Sequence, residues 1–288
     1  MSPDQIEKIS LPLLLEYAAS LPASPRIFAR LSKIIQNEDT ALDLVASLVK
    51  MDPGVAAQIL RATNSAFYGA SFKINDLETA ISRIGFIEVH KVLDMVVTND
   101  YFYQALPTYG ITASEFSDRS IEVAIISEIL AKRIGIDYNI PYITGLLHSI
   151  GKLAINIYLE RMESVLDITP LAKGKSLSQV ELELFGLTRW RAGYELLKNW
   201  KFETEVWQSV KNQAAPEAAP SYVRSTAILT LAIWMAEQIT RYDFEAQLPK
   251  RVKWALSKLD IDALDVTSLI DDARFEINDR QNMLSLLL

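Results

Sequence analysis

The sequence predicts an all-α fold, and three observations carry that prediction. Apolar residues recur at helical spacing along nearly the whole chain. No stretch sustains the alternation of apolar and polar residues that marks a half-buried strand. Ser, Thr, Asp and Pro stand where helices would begin, and Gly stands where several would end.

Taken in order, Leu42, Val45, Ala46, Leu48 and Val49 form one apolar face, behind a Thr40 cap with Asp43 three residues on. Asp52-Pro53 predicts a sharp helix start, an Asp N-cap followed by Pro at the first helical position. That helix buries Val55, Ala56, Ile59 and Leu60 and ends near Asn64-Ser65. Asp76 opens the next, with Leu77, Ala80, Ile81 and Ile84 on its inner face and Gly85 closing it. The helical pattern breaks over residues 103–110, the expected seam between subdomains. Thr112 and Glu115 form a capping box for a helix through Ile134, ended by Gly135. Pro141 opens a helix expected to run to Leu159, carrying His148 and Ser149 within it. Ser178 and Glu181 are expected to cap a short segment, with further helices over 189–200 and 203–213. Residues 214–220 (AAPEAAP) are a loop, 223–240 a long apolar helix, and 249–288 two or three short helices.

Composition narrows the function. The net charge of -7 and the scattered basic residues argue against a nucleic-acid partner. No apolar run is long enough for a membrane span, and the N-terminus shows no secretion signal. The chain has no cysteine, which fits a reducing cytoplasm, and only two histidines, His90 and His148. A catalytic zinc site is hard to build from that inventory, whereas a carboxylate site for magnesium or manganese stays chemically open. Asp260, Asp262, Asp265 and Asp271 lack the glycine and the bidentate Glu of a calcium loop and are read as helix N-caps. Lys173 and Lys175 flank Gly174 in a loop, and no phosphate-cradling glycine motif is present. Trp190, Trp200, Trp207 and Trp234 are read mostly as core; any exposed on a common face would be partner anchors.

Residues 146–152 read LLHSIGK, which resembles the LLHDIGK signature of the HD phosphohydrolase superfamily. Residues 51–69 (MDPGVAAQILRATNSAFYG), then Ile74, Asp76-Leu77, Ala80-Ile81 and Ile84-Gly85, resemble one branch of it, the HDOD domain. Residues 21–25 (LPASP) resemble that family's proline-containing start, and the likeness runs from about Leu11 to about Thr240. The resemblance implies an HD-like multi-helical bundle with an N-terminal helical subdomain. The corresponding division is 1–108 for the N-terminal subdomain, 109–245 for a degenerate HD-like bundle, and 246–288 for a C-terminal extension.

In HD enzymes a first His, the His-Asp pair and a later Asp hold the metal. By resemblance the first His falls at or near Arg119, the pair is His148-Ser149, and the final Asp falls near Ile233. Two further positions, often His in relatives, are Arg189 and Gln213. A serine hydroxyl is a weak neutral ligand, and Arg119 places a cation where the metal would sit. The expectation is therefore a non-catalytic regulatory module with no metal or cofactor, retaining a vestigial pocket of Arg119, His148, Ser149, Lys152 and Ile233. If Arg119, His148 and Lys152 converge, an anion such as a phosphate group is favoured. His148 itself is read first as a structural histidine bonded to a backbone carbonyl, and His90 as a surface helix residue. Asp52, Pro53, Asn64, Ser65, Tyr68 and Gly69 are mainly structural: Asp52 a cap, Asn64-Ser65 a junction, Phe67 and Tyr68 core or groove-wall aromatics. The implied partners are signalling proteins, including response-regulator or cyclic-di-GMP pathway components, or a second copy of the chain through its apolar end 283–288. The alternatives are a divergent metal-dependent HD-type phosphohydrolase and a sensor of a nucleotide or lipid-like ligand.

Overall fold

The helical periodicity is realised in a computed structural model that describes residues 7–18, 34, 41–64, 73–98, 105–239 and 248–286. Side chains at 87, 88, 90–98 and 280–286 are also outside that description, so His90 is placed only on its helix. Thr40, residues 21–25, Ser65, Phe67, Tyr68 and Gly69 lie outside the described residues. The chain forms two compact units, one from Met1–Asp118 and Ser149–Trp207, the other from Arg119–His148 and Gln208–Leu288. No helix among the described residues is long and apolar enough to cross a membrane.

The first unit begins with α1 (Leu11–Tyr17), α2 (Leu42–Lys50), α3 (Pro53–Thr63) and α4 (Leu77–Thr98). Val45, Leu48, Val49, Val55, Ile59, Leu60, Leu77 and Ile81 interleave as the core of α2, α3 and α4. Asp52 caps α3: its buried carboxylate accepts the Val55 N–H at 2.8 Å, with Pro53 as the first helical residue. Asp76 likewise accepts the Thr79 N–H at 2.7 Å, and Gly85 breaks α4 with φ of 76°. Against expectation, α2 starts on Ala41 with no side-chain cap, and the chain resumes its helix beyond the Gly85 break as far as Thr98. Asn64 does more than end α3. Its Nδ2 donates to the Leu60 and Ile74 carbonyls at 3.0 and 2.8 Å, and its Oδ1 accepts the Ile74 N–H at 2.9 Å. One side chain thus joins the end of α3 to the strand of chain leading into α4.

The expected seam is a small antiparallel hairpin, β1 (Ala105–Leu106) with β2 (Ile111–Thr112), turning through a 3-10 segment and left-handed Gly110. Such short strands leave no alternation to read. The capping box of α5 (Ala113–Arg133) forms as expected: Glu115 Oε2 accepts the Thr112 N–H at 2.7 Å, and Thr112 Oγ1 accepts the Glu115 N–H at 3.2 Å. Those bonds hold the Glu115 carboxyl below the usual range, led by the Thr112 backbone contact.

The chain leaves the second unit after α6 (Asn139–Leu147) and re-enters the first with α7 (Ile150–Arg161). The His148-Ser149 pair is therefore a break between two helices, correcting the expectation of one helix from Pro141 to Leu159. Then come α8 (Leu177–Phe185), α9 (Arg189–Asn199) and α10 (Thr204–Asn212). The box that starts α8 is Ser176 with Gln179, not Ser178 with Glu181. Helices α7 and α9 cross closely at Gly151: a Cβ there would stand 1.9 Å from the Arg189 carbonyl oxygen and 2.5 Å from the Gly193 nitrogen.

The second unit is organised around α11 (Val223–Ile239), which packs on α6, on α12 (Lys250–Leu259) and on α13 (Val266–Leu286). Leu231, Ala232, Trp234 and Met235 fill its core. A Cβ at Gly145 on α6 would meet the Val123 carbonyl oxygen of α5 at 2.7 Å. Of the four C-terminal aspartates only Asp262 is an N-cap, accepting the Leu264 N–H at 2.9 Å. Asp260 closes α12 in the left-handed conformation, while Asp265 and Asp271 pair with Arg133 and Arg274.

Two substitutions test this packing. Asn64→Ala strands buried backbone groups and is expected to lower stability by about 1–3 kcal/mol. Gly151→Ala overpacks a helix crossing against backbone that cannot rotate away, with a cost of at least roughly 1–3 kcal/mol. Urea midpoints at constant m-value read both losses.

Candidate functional site

The helix break at 148–149 is held by one local contact and one distant in sequence. The His148 Nδ1 lies 2.7 Å from the Gly145 carbonyl oxygen, which can only accept, so the ring carries its proton on Nδ1. The His148 carbonyl, one of the orphaned acceptors at the end of α6, receives the Gln213 Nε2 at 2.9 Å. Gln213 also donates to the Val210 carbonyl at 2.9 Å. Ser149 takes the N-cap position of α7 with no side-chain cap bond, its carbonyl accepting the Lys152 N–H at 2.9 Å.

The five expected pocket residues fall in different units. Arg119, His148 and Ile233 belong to the second, Ser149 and Lys152 to the first. Arg119 on α5 pairs with Glu122 at 3.2 Å. Ile233 stands on α11 and offers only hydrocarbon. Lys152 holds its ammonium 5.7 Å from the ring centroid of Tyr109. These five side chains do not fit a divalent metal: one imidazole, one neutral hydroxyl, a guanidinium, an ammonium and an alkyl group. Among the described residues no cluster of three or more His, Cys, Asp or Glu is arranged to hold a metal ion.

What the sequence reading missed lies in the first unit. Glu181 on α8 is fully buried. Its Oε1 accepts the Tyr109 hydroxyl at 3.0 Å and lies 3.0 Å from Arg189 Nη1; its Oε2 accepts the Arg189 N–H at 3.1 Å. The guanidinium approach is a charge contact more than an aligned hydrogen bond. Burial, followed by the negative charge of Glu181, pushes the Tyr109 hydroxyl well above its ordinary value. Beside this cluster, the buried Asn156 of α7 accepts the Thr108 N–H at 3.2 Å and donates to Glu160 at 2.7 Å. Burial raises the Glu160 carboxyl, against the Asn156 hydrogen bond. The hairpin is thus held to α7 and α8 by polar contacts, with Glu181 linking it on to α9. One signal was available: Glu181 sits on the stripe of Leu177, Val180, Leu184 and Phe185, where a carboxylate needs a partner.

Of the tryptophans, Trp200 and Trp234 are buried. Trp190 and Trp207 are half-buried, with Arg189 4.3 Å and Lys198 5.5 Å from the respective ring centroids.

Residues 21–216 match the family model of the HDOD domain. The chain belongs to the HDOD family. Solved structures share its HD-like helical fold. A virulence factor from Campylobacter jejuni superposes with TM-score 0.71 at 21% identity, over 93% of this chain and 96% of that one. The MmoQ response regulator from Methylococcus capsulatus gives 0.69 at 19% identity, over 87% and 98%. At such identities the likeness shows the fold alone. A protein of Treponema pallidum is 20% identical over 238 residues, 80% of this chain; the chain spans 45% of that relative's length.

The buried HDOD cluster makes two predictions. Glu181→Ala is expected to cost about 3–5 kcal/mol by leaving the Arg189 guanidinium without its carboxylate and the Tyr109 hydroxyl without its acceptor, whereas Glu181→Leu with both Arg189→Met and Tyr109→Phe costs less. Because the Tyr109 hydroxyl is raised in the folded state, its contribution is full below the unfolded value of about 10 and is lost as pH climbs through the folded one. Chemical denaturation across that alkaline range should show a falling stability that Tyr109→Phe flattens.

Proposed function

We propose that this HDOD chain is a non-catalytic signalling module that acts by binding another protein or a small ligand. One observation carries the reading: at the positions where HD enzymes hold metal, Arg119, Ser149 and Ile233 supply no suitable donor, and the His148 ring is bonded to the Gly145 carbonyl. The fold shared with a response regulator supports a signalling setting. Partners are then other signalling proteins, of the response-regulator or cyclic-di-GMP pathway kind, met in the cytoplasm. Change passes through packing and hydrogen bonds at the helix break, with no chemical step.

Metal analysis of purified protein after incubation with manganese, iron and magnesium, paired with a phosphodiesterase assay, tests this reading. The expected outcome is substoichiometric metal and no turnover above buffer; stoichiometric metal with turnover would establish the divergent hydrolase instead. A thermal-shift series with cyclic dinucleotides and common nucleotides separates the two binding modes, since a ligand at 100 times its Kd adds about 2.7 kcal/mol. A saturable shift makes the module a ligand sensor, and flat curves leave protein partners.

A further inference from the structure

Residues 8–18 precede the matched domain and dock on the first unit by contacts of several kinds. The Ile9 N–H donates to the Phe185 carbonyl at 2.9 Å, and the Ser10 N–H donates to the Tyr158 hydroxyl at 3.3 Å. Lys8 donates to the Glu183 carbonyl and lays its methylenes over Gly186, where a Cβ would stand 3.2 Å from Lys8 Cδ. Leu14 and Ala18 are fully buried. The Tyr17 ring sits 5.8 Å from that of Tyr158, with the Arg161 guanidinium 5.7 Å from the Tyr17 centroid. Tyr158 on α7 thereby receives both a backbone donor and an aromatic partner from this segment.

The segment depends on these contacts more than the helices beneath it do. Helix α1 has seven residues, too short to persist alone, and Ser10 gives it no side-chain cap bond. The helices below carry their own fastenings. Helix α8 has the Ser176–Gln179 box and left-handed Gly186, α9 has the Thr188 cap, and α7 crosses α9 at Gly151. Opening 8–18 therefore breaks only the contacts of one short segment while the supporting helices keep their own fastenings, which is the condition for local opening below the global barrier.

We propose that residues 8–18 are a reversible latch seated in a helix-binding groove of α7, α8 and α9. Opened, the latch uncovers Tyr158 and the sites of Ile9 and Leu14, an apolar groove with an aromatic wall, suited to a short amphipathic helix. The occupant is this chain's own segment. The inference goes beyond the signalling reading and stands whether or not the module turns over a substrate.

Hydrogen exchange on the full chain tests it first. Amides of residues 9–18 are expected to exchange at least roughly tenfold faster than those of residues 151–160, through an opening with little denaturant dependence. Equal rates and equal denaturant dependence would overturn the latch, because the segment would then open only with its unit. The second arm uses Leu14→Asp with Tyr17→Ala and a fluorescent peptide of residues 7–18. The variant should bind the peptide saturably, about tenfold or more tighter than the unaltered chain, whose groove is filled. Equal, weak binding to both sinks the proposal. If circular dichroism shows the variant unfolded, exchange in the unaltered chain decides alone.

Discussion

The close crossing of α7 and α9 at Gly151 sets the terms for the first unit. With the Arg189 carbonyl 1.9 Å from where a Cβ would stand, only glycine permits that helix separation. The separation fixes the start of α9, and with it the Arg189 N–H and guanidinium that meet Glu181. Glu181 in turn holds the Tyr109 hydroxyl, and Tyr109 anchors the hairpin that leads into α5. Burying a carboxylate costs several kcal/mol before its partners are counted. Two hydrogen-bond donors and one cation offset that cost here. Each would be lost if the helices moved apart by a methyl group's width.

That geometry separates two roles within residues 145–152 (GLLHSIGK). Gly145 and Gly151 stand three residues to either side of His148, and each lets a helix approach a neighbour within its own unit. This steric role needs no metal. The resemblance assigns the coordinating role to the central pair, in which serine stands where the family has aspartate. An imidazole bonded to the Gly145 carbonyl, followed by a serine, ends one helix and begins the next. A motif can therefore persist for packing after its ligands are replaced, because glycine and carboxylate answer to different constraints.

The same distinction explains what could be read from the sequence. Local signals were legible. Asp52-Pro53, Asp76 with Gly85, and Thr112 with Glu115 and Gly135 all place helix ends correctly, because a cap is satisfied within four residues of itself. The His148-Ser149 break was not, since LLHSIGK keeps helical apolar spacing across it and the Gln213 bond that satisfies its carbonyl comes from 65 residues away. Glu181 was misplaced for the same reason. Near Ser178 a glutamate reads as a capping residue, and its true partner Tyr109 is 72 residues distant. Asn64 fell between: its helix-ending role is local, while its grip on Ile74 spans ten residues.

Several positions that the resemblance aligns with metal ligands are engaged with protein groups instead. Here Arg119 faces Glu122, Gln213 serves the His148 carbonyl, and Arg189 faces Glu181. Each of these side chains faces a complementary group inside its own unit. Recruiting Glu181 as a metal ligand would mean giving up Tyr109 and leaving Arg189 with a buried charge, a loss comparable to breaking any buried ion pair. Glu181 is thus already committed to holding the fold of its own unit.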